Sequence, residues 1–73
     1  MKLTKVKIGE NVTVKSLSLP HEAERRFEVL GMTVGTKISV INRGGSGAVI
    51  IKLRGTRFAV GKDFCEKIEV AYE

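Results

Sequence analysis

The chain has one cysteine, one histidine, one proline and no tryptophan. Each scarcity closes off a class of function. A lone Cys65 cannot form an internal disulfide, and it excludes every cysteine-rich zinc pattern. It also points to a reducing compartment. A lone His21 removes the paired-histidine metal motifs and most acid–base catalysis. No stretch approaches the ~18 consecutive apolar residues that a membrane span needs. The N-terminal run Met1-Lys2-Leu3-Thr4-Lys5-Val6-Lys7 carries charge without a following apolar segment, so a secretory signal is not expected, and a cytoplasmic location is. Aromatics are limited to Phe27, Phe58, Phe64 and Tyr72, so the core must be built from Val, Ile and Leu. With 73 residues the chain has room for a single domain, residues 1–73. A core of that size supplies only about 3–5 kcal/mol, and chains this short often lean on partners.

Charge is what the sequence has in surplus. Thirteen Lys and Arg against eight Asp and Glu give a net charge of +5. Such a balance suits nucleic acid, an anionic membrane surface or an acidic protein face. The basic residues are spread along the chain with no block of five like charges, so there is no basic tail. Proteins that grip single strands use aromatics as stacking platforms. Here the three Phe residues sit among Val and Leu on apolar faces, where a core role is expected.

Periodicity supplies the architecture. Val12 and Val14 alternate with Thr13 and Lys15, which predicts a strand over about 11–17. Pro20 stands at the first position of the one helical stretch, where its missing N–H costs nothing. Glu22 and Glu24 follow in the first turn, favoured by the helix dipole. Ala23, Phe27 and Leu30 recur at i, i+4 and i+7 and predict one buried face. Gly31 supplies the left-handed residue that ends the helix, so the expected span is 20–30. Alternation then predicts strands over about 37–43, 48–53, 57–60 and 67–72. Gly44-Gly45-Ser46-Gly47 reads as a hairpin loop and Arg54-Gly55-Thr56 as a tight turn. Asp63 is placed to cap a single helical turn carrying Phe64 and Glu66. The fold class is mainly β. Five short strands with one short α-helix after the first strand fit a small, closed or nearly closed Src-homology-3-like barrel, since an open sheet of this length would leave edges to aggregate. An oligonucleotide-binding barrel would place its helix between the third and fourth strands.

Motifs that might carry chemistry fail on inspection. Gly55-Thr56-Arg57-Phe58-Ala59-Val60-Gly61-Lys62 has five residues between its glycines where a phosphate loop needs four, and Asp63 replaces the Ser or Thr that would meet magnesium. Gly45-Ser46-Gly47 lacks the third glycine of a dinucleotide fingerprint. His21 reads as a neutral surface residue, and Cys65 as a small buried hydrophobe. No catalytic residue, no metal-ligating set and no cofactor is assigned.

The run Arg25-Arg26-Phe27-Glu28-Val29-Leu30-Gly31-Met32-Thr33-Val34-Gly35-Thr36-Lys37-Ile38 resembles the signature of the FeoA family, small cytoplasmic proteins of the bacterial ferrous iron transport system. Leu3, Gly9, the stretch Leu53-Arg54-Gly55 with Arg57-Phe58-Ala59-Val60, and the closing Ile68 and Val70 extend the likeness along nearly the whole chain. Val34 stands where the family usually has Pro, and Cys65 where it usually has Ala. The resemblance implies a Src-homology-3-like barrel and a non-enzymatic accessory role. The implied partner is FeoB, a membrane permease of ferrous iron with a cytoplasmic GTP-binding part. It implies neither catalysis nor a well-defined metal site. The same domain type also occurs fused to metal-dependent repressors, so a stand-alone relative of that barrel and a small nucleic-acid-binding barrel are the alternative readings. If Ala23, Phe27 and Leu30 face inward, then Arg25, Arg26, Glu28, Gly31, Met32 and Thr33 form the exposed group expected to meet a partner.

Overall fold

The structure is a computed structural model that describes residues 1–72. A single 3-10 turn, Leu3–Lys5, precedes strand β1, Asn11–Leu17. Helix α1 spans His21–Val29, and strands β2, Lys37–Arg43, β3, Val49–Leu53, and β4, Thr56–Val60, follow. A one-turn helix α2, Lys62–Cys65, leads into β5, Ile68–Tyr72. All five predicted strands are present, and β1 and β2 have the predicted bounds.

The strands form one antiparallel sheet in the order β4-β3-β2-β1-β5. Alternation decides what goes inside. Val12 and Val14 of β1, Ile38 and Val40 of β2, Val49, Ile51 and Leu53 of β3, Val60 of β4, and Ile68 and Val70 of β5 are all buried. Their neighbours along each strand face outward, as a period of two requires. The register shifts between Val14 and Ser16 in β1 and between Val40 and Asn42 in β2. Each extra residue bends its strand and deepens the local twist. These bends coil a short sheet into the Src-homology-3-like barrel that the pattern predicts.

The two sheet edges are treated differently. The outer edge of β5 is occupied: Lys2 bridges Glu69, and the Val70 N–H donates to the Met1 carbonyl at 2.8 Å. The Arg43 guanidinium donates to the carbonyls of Thr4, at 3.0 Å, and of Val6, which ties the N-terminal segment to the end of β2. Leu3 and Val6 are thereby fully buried, a contribution to the core that the strand pattern did not reveal. The outer edge of β4 has no such cover: among the described residues β4 pairs with β3 alone.

Four local expectations are corrected. Pro20 lies one residue before α1, with extended backbone. Asp63 lies inside α2, which Gly61 precedes, and it makes no capping bond. Leu30 is exposed, because α1 ends at Val29 and the chain turns away from the barrel before the third predicted contact is made. Met32, expected at an exposed end, is fully buried. Gly31 at φ +94° reverses the chain, and the Met32 N–H donates back to the Phe27 carbonyl at 2.8 Å. That reversal drives the methionine side chain into the core.

Met32→Ala and Phe27→Ala should each cost about 2–5 kcal/mol, because both empty a packed interior that relaxes only in part. Thermal or urea unfolding measures this, and an unchanged midpoint for either would contradict the packing. A pH effect follows from Glu69, whose carboxyl is held below its ordinary range, chiefly by the hydrogen bond from Lys2 and also by the N-terminal ammonium. A group whose folded pKa is depressed stabilises the fold above its unfolded pKa and ceases to do so as pH falls through the folded value. Acidification below about pH 4.5 should therefore loosen the Met1–Lys2 segment. There the protection of the Val70 amide against hydrogen exchange, taken relative to its intrinsic rate at each pH, should fall in the wild type. In Glu69→Gln the segment should already be loose at neutral pH, with little further acid response.

Candidate docking groove

Phe27 is the only buried residue of α1. Its ring meets Phe64 of α2 edge-on, with centroids 5.7 Å apart and planes at 89°, and lies 6.4 Å from the ring of Phe58 on β4. Tilted and edge-on aromatic pairs of this kind fix relative orientation as well as burying area. They hold the helix beside β4 without closing the space between. A groove of about 230 Å³ results. Ala23, Arg26, Phe27 and Leu30 form its helix side, and Phe58 and Ala59 its strand side, with Gly61 and Phe64 at one end. Its volume falls below the ~300–1,000 Å³ of sites that bury a drug-sized ligand. It suits one or two large apolar side chains.

The β2–β4 part of the sheet, which forms the strand side of this groove, is one-sided in charge. Residues 29–62 contain no Asp or Glu, but six of the thirteen basic residues. All eight acids lie outside that stretch, which forms β2, β3 and β4. Arg43 is engaged with the N-terminal segment. Among the described residues Lys52, Arg54, Arg57 and Lys62 form no ion pair; the salt bridges run from Met1 and Lys2 to Glu69. Lys52 and Arg57 stand directly opposite each other on β3 and β4. Like charges in that position repel and destabilise the pair. Counting charges over the whole chain hides this asymmetry; the gap in acidic residues along the sequence was the signal that could have found it.

The structure divides the six residues expected to form one partner surface. Arg26 lies at the rim of the groove, and among the described residues it makes no ion pair with Glu22 four residues earlier. Arg25 is exposed on the helix. Glu28 and Thr33 border a different depression, with Leu17, Glu24 and Val34. Gly31, Met32 and Thr33 build the turn into β2. The Thr36 hydroxyl donates to the Gly31 carbonyl at 3.1 Å, so the Thr33 hydroxyl, 3.1 Å away, must donate to Thr36. The Gly35 N–H donates to Val14 at 2.8 Å. This network holds the turn, in which Val34 stands where the family resemblance implies Pro. Phe58, Ala59, Gly61 and Phe64 carry the other half of the groove, and the sequence pattern alone had given them no site role.

Chemistry beyond docking finds little support. Cys65 is fully buried and its thiol donates to the Val60 carbonyl at 3.3 Å. Burial pushes its pKa up, which keeps the reactive thiolate scarce. His21 is exposed. Among the described residues no three of His, Cys, Asp and Glu stand close enough to hold a metal ion. Tyr72, the one exposed aromatic, donates its hydroxyl to Glu10 at 2.9 Å. No helix among the described residues is long and apolar enough to cross a membrane.

By fold, then, the chain is a small Src-homology-3-like barrel protein whose surface offers an apolar groove beside an unpaired strand edge. The sequence pattern of the FeoA domain matches residues 1–72, and the chain belongs to the FeoA family of ferrous iron transport-associated proteins. A relative from Methanocaldococcus jannaschii, named Fe(2+) transport protein A, is 38% identical over 64 residues, which cover 88% of this chain and 77% of that one. The solution structure of a FeoA protein from Chlorobium tepidum superposes with a TM-score of 0.91 at 26% identity, covering 99% of this chain and 70% of that one. The FeoA of Stenotrophomonas maltophilia, solved with zinc and described as a prokaryotic SH3 domain protein, shares the fold at a TM-score of 0.78 and 22% identity, covering 97% of this chain and 89% of that one.

The burial of Cys65 makes a direct prediction. A thiol-specific reagent should label the native protein only as fast as it opens, and the rate should rise with denaturant in step with unfolding. Rapid labelling of the folded protein, with no dependence on denaturant, would mean that the thiol is accessible.

Proposed function

We infer that this protein is a non-enzymatic adaptor of ferrous iron uptake, which docks on the cytoplasmic GTP-binding part of a FeoB-type permease and modulates transport. The observation that carries the reading is the groove between α1 and β4 on a chain of the FeoA family. It is lined mostly by apolar residues, has Arg26 at its rim, and is smaller than sites that bury a drug-sized ligand. Exposed Leu30 and Arg26 line its helix side. An apolar side chain together with an arginine is a frequent makeup for an interface centre. Of the residues first expected to meet the partner, Arg26 stays in this surface and Arg25 lies beside it on the helix; the Gly31–Thr33 turn is tied to the helix end by the Met32 N–H, which donates to the Phe27 carbonyl.

A nucleic-acid role has less behind it. The cations are present, but Phe27 is buried, Phe58 and Phe64 pack on the core, and no run of exposed aromatics accompanies the basic face.

Leu30→Glu and Arg26→Glu alter exposed positions and should leave the melting temperature within a few degrees of wild type. As interface centres, each should cost at least ~2 kcal/mol of affinity for the purified GTP-binding domain of the permease, about thirtyfold in Kd. The paired measurement is a melt and a binding titration, followed by ferrous iron uptake in cells. Intact folding with undiminished binding and uptake would remove the groove as the docking site.

A further inference from the structure

The backbone of β4 has more to offer than its side chains. Arg54, at φ +50°, and Gly55, at φ +84°, form a two-residue turn joining β3 to β4. In such a turn the flanking residues, Leu53 and Thr56, exchange both of their hydrogen bonds. Antiparallel pairs then alternate between bonded and non-bonded. Ile51 with Phe58 is therefore a bonded pair, while Lys52 with Arg57 and Ile50 with Ala59 are non-bonded. It follows that the N–H and C=O groups of Arg57 and Ala59 point away from β3, into the open. Both residues are exposed, and their backbone groups find no partner among the described residues.

The two sides of this edge differ in chemistry. Inward lies the apolar groove under Phe58 and Leu30. Outward lies a shallow depression in which Lys52 and Arg57 stand beside Ile41 and Ile50. A strand added to β4 would send alternate side chains to these two sides. Its inward residues would enter the groove, and its outward residues would meet two like charges that lack a counter-ion. Acidic residues there would relieve the repulsion between Lys52 and Arg57. A second copy of this chain fits poorly, since joining two β4 edges would bring Arg57 and its cationic neighbours against their own kind.

We propose that the edge of β4 is a strand-addition site for an extended segment of a protein partner in which apolar residues alternate with Asp or Glu. Main-chain bonds to Arg57 and Ala59 supply affinity, and the groove and the Lys52–Arg57 pair select the side chains. The inference rests on the docking role argued above and names what docks.

The probe is a fluorescein-labelled short peptide alternating Leu with Glu, titrated against the full chain by anisotropy and followed by amide hydrogen exchange. Binding should slow exchange at Arg57 and Ala59 and leave Val70 unaffected. N-methylation of alternate peptide amides, in each of the two registers, should weaken binding by roughly tenfold or more in one register, the one that removes the edge bonds. Arg57→Glu should weaken it to a similar degree, with a melt to verify folding, and Arg57→Ala serves if that variant does not fold. No binding at millimolar peptide, equal affinity of both N-methylated forms and the parent, unchanged exchange at Arg57 and Ala59, or equal affinity for a single-stranded DNA oligomer of matching charge would each overturn the proposal. A competition with the permease's GTP-binding domain separates the two readings. If the domain binds but the peptide neither binds nor competes, strand addition fails and the adaptor role stands. If the peptide binds at β4 but the domain does not bind, strand addition stands and that choice of partner fails.

Discussion

The contact between Phe27 and the rings of Phe58 and Phe64 sets the position of helix α1 against the barrel. The five strands coil around a shared aliphatic core and leave the β4 edge open, but α1 is attached through one fully committed side chain. The T-shaped contact to Phe64 fixes direction as well as distance, and it holds the helix beside β4 with a groove between them. The same contact that anchors the helix therefore creates the groove. A larger apolar face on α1 would have buried Leu30 and filled the space that forms the groove.

The turn after α1 is the second constraint, and it depends on the first. Gly31 reverses the chain, Met32 drops into the core beside the strands, and Thr36 ties the turn back to the helix end through a single shared hydroxyl network. Fixing both ends of this segment fixes where β2 starts and hence its register with β1, where Val12 faces Ile38. In a small domain with little stability to spare, a helix held by one ring and one turn is the least costly element to displace. If the groove is the docking site proposed above, the adaptable part of the molecule lies at the surface that meets the partner.

The sequence discloses the strands well and the helix face poorly, for a physical reason. Valines and isoleucines on alternate residues report burial on one face of a pleated strand, and here nearly all of them are buried. Helical spacing reports only that Ala23, Phe27 and Leu30 share a side of α1. It cannot tell how far along the helix the barrel extends, and the barrel stops short of Leu30. Met32 was misread because it follows a glycine, where neither period applies and the direction of the side chain depends on a turn. Leu3 and Val6 were missed because a 3-10 turn has too few residues to show a period. The family signature located the helix and turn correctly, but its arginines, glutamate and glycine serve different ends in space: Arg26 at a groove, Glu28 at another depression, Gly31 in a backbone reversal.

The two edges of the sheet show how the chain divides structural from receptive surface. At β5 the N-terminal segment supplies main-chain bonds, and Glu69 supplies the counter-charge for Lys2 and the terminal ammonium. Edge and charge are satisfied together. At β4 neither is: the outward backbone groups are unpaired, and Lys52 faces Arg57 across the strand pair with no acid anywhere between residues 29 and 62. A charge on an edge strand protects against self-association, and one arginine would be enough for that. Opposing two cations goes further and costs a few tenths of a kcal/mol or more in a domain whose core is small. Such a cost is characteristic of surfaces shaped by function more than by stability. Where β5 is finished by the chain's own residues, β4 lacks both a strand and a set of carboxylates, and a single acidic segment would supply the two at once.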